Sequence, residues 1–153
     1  MQADLDLGCW VAVDPGVKGG VALASGKHDL ELKAFTTESE FLDIVDSLPI
    51  DTEAIVEEVP PYVGRAIPSS AAFKLGYNYG FEVGVLRAYG FRVNLVKPQV
   101  WQKGLSGLRG LQGAPRKRKL KDHAKRLYPK TKGLTLQTCD ALLLLDYWRN
   151  RRA

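Results

Sequence analysis

The chain has 153 residues, 45% hydrophobic and 25% charged, which fits one soluble globular domain over 1–153 with a sizeable core. The longest apolar run, Ala141 to Leu145, is far too short for a membrane span, and Met1 to Asp6 lacks the basic start and apolar stretch of a signal peptide. Cys9 and Cys139 build neither a disulfide framework nor a structural zinc site, so buried free thiols in a reducing cytoplasm are expected.

The net charge of +5 is unevenly distributed. Acids crowd the first 59 residues, whereas from Lys97 onward only Asp122, Asp140 and Asp146 oppose the cations from Arg116 to Arg126 and the basic end. Such a one-sided basic half points to a polyanionic partner, with nucleic acid first.

Val11 to Val13 reads as a buried strand that stops on Asp14, with Pro15-Gly16 as its turn. Val21 to Ala24 and His28 to Phe35 read as second and third strands, joined by short turns into an antiparallel meander. Thr37 with Glu40 forms a capping box, opening a helix whose Phe41, Leu42, Val45 and Leu48 share one face until Pro49. Ala54 to Glu57 is a fourth strand, ended by Pro60-Pro61.

After a loop from Tyr62 to Pro68, Ser69 or Ser70 caps a long helix to about Tyr89. Ala72, Gly76, Gly80, Gly84 and Ala88 recur along it every four residues. Three glycines inside a helix cost roughly 1 kcal/mol each, so a second backbone should approach there. It belongs either to this domain's sheet or to the same helix of a second subunit, and Phe73, Tyr77 and Phe81 add an apolar face that favours the dimer.

Phe91 to Val96 alternates as a fifth strand, Pro98 to Trp101 is a short helical turn, and glycines from Gly104 to Gly113 mark a loop. Helices follow over Arg116 to Tyr128 and, capped by Thr138, over Cys139 to about Arg149, the last buried apart from its start. Residues 1–7 and 150–153 are expected to be flexible ends. The order implies an α/β fold, a mixed sheet covered by helices.

Asp14 ends the first strand, Glu57 ends the fourth, and Asp140 opens the last helix. Singly, each acid reads equally well as a turn residue, a charge beside a strand end, or a helix-capping charge. Together they form a hard-oxygen set suited to Mg²⁺ or Mn²⁺. Acids with a basic half are the combination that cuts a phosphodiester: two ions about 4 Å apart activate water and stabilise the leaving oxygen while lysines hold the strand. His28 and His123 are the only histidines, so neither a histidine metal cluster nor a Ser-His-Asp constellation assembles.

The set Val-Ala-Val-Asp14-Pro-Gly, Ile-Val-Glu57-Glu-Val and Cys-Asp140-Ala-Leu-Leu-Leu resembles a RuvC-type Holliday junction resolvase. The stretches from Ser69 to Gly80 and from Val96 to Lys103 are similar to its phage- and prophage-borne branch, and the resemblance runs from about Cys9 to Tyr147. It implies a ribonuclease H-like five-stranded mixed sheet with the first strand beside the fourth, and a homodimer packed through Ala72, Gly76, Gly80 and Gly84. It also implies Mg²⁺-dependent paired nicking of four-way DNA junctions, with Asp14, Glu57 and Asp140 as ligands of two ions. Lys103, Arg116, Lys117, Arg118, Lys119 and Lys121 match phosphate-contacting regions. Tyr62 and Arg65 fall where the family approaches the junction centre, and Tyr62 is planar enough to stack on a base.

This chain departs from the family at the further acid or histidine that precedes the final acid by three or four residues, where it has Gln137 and Leu136. Asp146 lies about 600° further round its helix than Asp140 and does not substitute. A nearby lysine, Asp122 or His123 is left to complete the site, with Asp14 expected to bridge both ions. The alternative is a junction-binding protein with weak or no cleavage. A third reading, a sugar-kinase or actin-like phosphate lobe, rests on Asp14 to Val21 and lacks the second lobe that closes on a nucleotide.

Overall fold

The computed structural model describes residues 8–26, 29–62 and 66–151. Of the expected flexible ends, 1–7 and 152–153 lie outside the described residues, as does the start of the third strand at His28, whereas Asn150 is the last residue of a helix and Arg151 its C-cap. The strands are β1 (Cys9–Asp14), β2 (Gly19–Ser25), β3 (Asp29–Phe35), β4 (Glu53–Glu57) and β5 (Arg92–Val96). The helices are α1 (Glu38–Asp46), α2 (Ser69–Ala88), α3 (Pro98–Trp101), α4 (Gly113–Leu127) and α5 (Cys139–Asn150). The fold is the ribonuclease H-like one: a single mixed sheet ordered β3-β2-β1-β4-β5, with β1, β2 and β3 antiparallel and β1, β4 and β5 parallel.

Alternation along the central strands sends successive side chains to opposite faces. Val11, Val13, Val21, Ala54 and Val56 pack under α1 and α2, around Phe41, Val45, Val83 and Leu86. Ala12, Ala22 and Ile55 turn to the other face, under Leu142 to Leu145 of α5 and Leu120 and Ala124 of α4. The alanines let α5 lie close, which is why its run from Ala141 to Leu145 is buried. Its start is buried too, contrary to expectation, because Thr138 and Cys139 sit against the sheet end.

Several local expectations change. Thr37 does accept from Glu40 N at 3.1 Å, but the Glu40 carboxylate reaches back to Thr36 N rather than to Thr37. Leu42 is 37% exposed and Ile44 takes its place on the buried stripe of α1, since Leu42 lies about 100° round from Phe41. Pro68, not a serine, stands at the α2 N-cap, and no side-chain cap bond forms there. Thr138 does precede α5, but its hydroxyl donates to Gly133 O at 2.7 Å and does not cap the helix. Helix α4 begins three residues before the expected Arg116.

The ridge of Ala72, Gly76, Gly80, Gly84 and Ala88 is exposed, and nothing lies within 4 Å of a Cβ built at its three glycines. The domain's own sheet is therefore not what it packs on. Phe81 turns inward toward Phe41, whereas Phe73 and Tyr77 stay 72% and 52% exposed and stack on each other. Glu82 on the inner face of α2 is 2% exposed, lies near the Gly16 backbone N–H, and its Oε2 has no hydrogen-bond partner. Burial, with Asp14 nearby, pushes its carboxyl up to about 9, so it is neutral at pH 7.

Gly20 is the position where β2 meets the chain leading into α5: an added Cβ would run into the Gln137 carbonyl and the Thr138 backbone. Gly20→Ala should therefore lower stability by about 1–3 kcal/mol, as overpacking against backbone does, which denaturant unfolding would measure.

Candidate metal centre

Register sets the first two acids side by side. Val13 of β1 pairs with Val56 of parallel β4, so the next residues, Asp14 and Glu57, leave the sheet at one level. Both share the parity of Ala12 and Ile55 and emerge on the α5 face. There Asp140, in the first turn of α5, completes a group whose ligand oxygens all lie within 4.8 Å of one another.

These charges oppose one another in a largely dry setting. Burial, then Asp140 and Glu57, hold the Asp14 carboxyl well above its usual range. Burial and Asp140 push Glu57 up to about 7, against the Trp101 indole that donates to its Oε2 at 2.8 Å. Carboxylate oxygens alone, with no sulfur or imidazole among them, fit a hard divalent cation, which would relieve this repulsion.

Lys117 of α4 is the cation already present. Its Nζ donates to Asp140 Oδ2 at 2.7 Å and stands 3.5 Å from Asp14 Oδ2. Burial alone would lower its pKa, but Asp14 and Asp140 outweigh that and hold the ammonium charged. The Cys139 thiol beside them is pushed up to about 12 by burial and Asp140, so it stays protonated and inert.

Gln137 has a scaffolding role. Its Nε2 donates to Gly19 O and to Phe35 O, both at 3.0 Å, tying the start of α5 to the ends of β2 and β3. An acid there would set a carboxylate against two carbonyl oxygens. His123 does not complete the site either: it is buried and its Nε2 pairs with Ser106 O at 2.7 Å. Asp122 is exposed and outside the acid group, and Asp146 accepts from Tyr128 at 2.6 Å.

The expected DNA-contacting residues divide. Lys103 and Arg118 are exposed, Lys119 and Lys121 half-exposed, and Tyr62 is 87% exposed, while Arg65 lies outside the described residues. Arg116 donates to Leu108 O at 2.9 Å and also binds the Gln102 side chain, bracing the loop before α4. Lys103, Arg109 and Arg116 line a cavity of about 390 Å³ between α3 and α4. A larger one, about 540 Å³, opens at the far end of β1 near Cys9 and Thr52, away from the acids. Sequence reasoning missed Trp101 and Glu82: neither carries a local signal, because their partners Glu57 and Gly16 are distant in the chain.

No protein-family model matches the chain, and no curated protein sequence does. Among solved structures, Thermus thermophilus RuvC in complex with a Holliday junction substrate superimposes with a TM-score of 0.64 at 16% identity, covering 94% of this chain and 96% of that one. A second structure of Thermus thermophilus RuvC gives 0.59 at 15% identity over the same shares, 94% and 96%. The likeness is one of fold across almost the full length of both chains.

Carboxyls raised in this way bind more protons in the folded chain than in the unfolded one, so the metal-free protein loses stability as pH rises from about 4.5 to about 7. A bound divalent ion competes with those protons. Millimolar Mg²⁺ should therefore raise the Tm more at pH 8 than at pH 6, as thermal melts would show; an equal rise at both would count against the carboxylate centre.

Proposed function

We propose that this protein is a divalent-metal-dependent endonuclease that resolves four-way DNA junctions by paired phosphodiester hydrolysis. The observation that carries the reading is the convergence of Asp14, Glu57 and Asp140 on one sheet edge within a RuvC-like fold. The structural neighbour bound to a Holliday junction substrate supports branched DNA as the substrate class. Hydrolase chemistry in the cytoplasm fits a chain in which no described helix is long and apolar enough to cross a membrane.

In this reading Asp14, Glu57 and Asp140 hold Mg²⁺, with Mn²⁺ as substitute. The bound ion supplies Lewis acidity at the scissile phosphate and lowers the pKa of water. Lys117 faces the same phosphate with a fixed positive charge, and Trp101 holds Glu57 in position. Lys103, Arg118, Lys119 and Lys121 guide the DNA backbone, while Arg116 steadies the loop beside them. Tyr62 and Arg65, after β4, approach the junction centre, where the exposed Tyr62 ring offers a stacking surface.

Two cuts need two centres, and the exposed ridge of Ala72, Gly76, Gly80 and Gly84 is the surface we assign to a homodimer. It permits close backbone approach, with Phe73 and Tyr77 alongside to bury apolar area. The motifs over Ser69–Gly80 and Val96–Lys103 favour the phage-borne branch. A second reading, junction binding with little cleavage, draws on Gln137, whose amide serves the scaffold and brings no charge.

A labelled four-way junction separates the two readings. Asp14→Asn should reduce Mg²⁺-dependent cleavage by on the order of 10²-fold or more, the scale of losing one preorganised electrostatic stabiliser, while gel-shift affinity is retained. Binding without any cleavage by the unaltered chain in Mg²⁺ or Mn²⁺ selects the second reading. Affinity should also fall by on the order of 10²-fold between about 50 and 200 mM salt if about four phosphates are neutralised. Salt-independent affinity excludes nucleic acid as the partner.

A further inference from the structure

Each of the three carboxylates has one oxygen already engaged by the protein. Lys117 Nζ holds Asp140 Oδ2 at 2.7 Å and stands 3.5 Å from Asp14 Oδ2, and Trp101 Nε1 holds Glu57 Oε2 at 2.8 Å. Among the described residues this leaves one oxygen apiece: Asp14 Oδ1, Glu57 Oε1 and Asp140 Oδ1. The last meets only the weak thiol donor of Cys139, at 3.4 Å. One carboxylate oxygen from each acid lies within 4.8 Å of the other two, a facial set for one ion.

A pair of divalent ions about 4 Å apart asks for more: a carboxylate shared through both of its oxygens. None of the three has both oxygens free. One oxygen each of Asp14 and Asp140 faces the Lys117 ammonium, and Gln137 contributes no charge while its Nε2 donates to Gly19 O and Phe35 O. Glu82, the other buried acid beside this corner, sits on the α2 face of the sheet and is outside the group. Charge agrees with geometry, since three carboxylates balance one divalent ion plus one ammonium.

We propose that this centre takes a single divalent cation, and that the Lys117 ammonium, lodged between Asp14 and Asp140, stands where a second cation would otherwise bind. The inference rests on the metal-centre reading above and departs from the two-ion expectation. It makes Lys117 a built-in part of the centre rather than one more phosphate-contacting lysine.

Mn²⁺ titrated into the full-length chain and followed by electron paramagnetic resonance tests the count. One ion should bind per protomer, and none at this site in Asp14→Asn. Lys117→Met, which keeps the stem and removes the charge, should raise the count to two, with the spin-coupled spectrum of a close pair. Lys117→Arg should stay at one. Adding a four-way junction, with a junction-only blank subtracted, should leave the unaltered chain at one.

A coupled pair in the unaltered chain, with or without junction, overturns the proposal. So does a count of one in Lys117→Met whose circular dichroism matches the parent. If that variant fails to fold, the counts of the unaltered chain and Lys117→Arg decide. Binding unaffected by Asp14→Asn would instead remove the metal centre itself, a failure distinguishable from a wrong ion count.

Discussion

Three carboxylates forced together in a mostly buried corner are the constraint on which this structure turns. Asp14, Glu57 and Asp140 come from a strand end, a second strand end and a helix start, and their oxygens fall within 4.8 Å of one another. Two like charges at such distances already disfavour full ionisation, and burial removes the water that would screen them. Lys117 reduces the repulsion by reaching two of the three, and Trp101 donates to the third. A bound divalent cation would relieve this repulsion.

Much of the remaining scaffold holds that corner still. Parallel pairing of β1 with β4 fixes Asp14 level with Glu57, and the small Ala12 and Ala22 admit α5 closely enough to bring Asp140 in. Gln137 ties the α5 start to β2 and β3, and Gly20 leaves room for that crossing. On the opposite face the buried Glu82 lies near Gly16, beneath the turn that follows Asp14.

A fold shared with Thermus thermophilus RuvC at 16% identity shows how little sequence such a frame requires. Here the position three residues before Asp140 serves packing and hydrogen bonding through Gln137, and positive charge arrives from α4 instead.

The order of elements, the antiparallel meander, the three acids and the basic half were all legible in the chain, because each is written in local periodicity, turn residues or composition. So was the glycine ridge of α2, though not what lies beside it, which only coordinates could settle as open space. Which cap opened each helix, and that Leu42 would face outward while Ile44 faced in, depended on how helices sat on the sheet. The roles of Lys117, Gln137, Trp101 and Glu82 were invisible for a stronger reason. Their partners lie 23, 118 and 44 residues away for the first three, and for Glu82 across the sheet, so no local pattern encodes them. Sequence alone determined that acids end β1 and β4 and open α5 and that the second half of the chain is basic; the tertiary structure alone decided that a lysine, not a fourth acid, stands among the carboxylates, because only packing of α4 against α5 brings that ammonium to them.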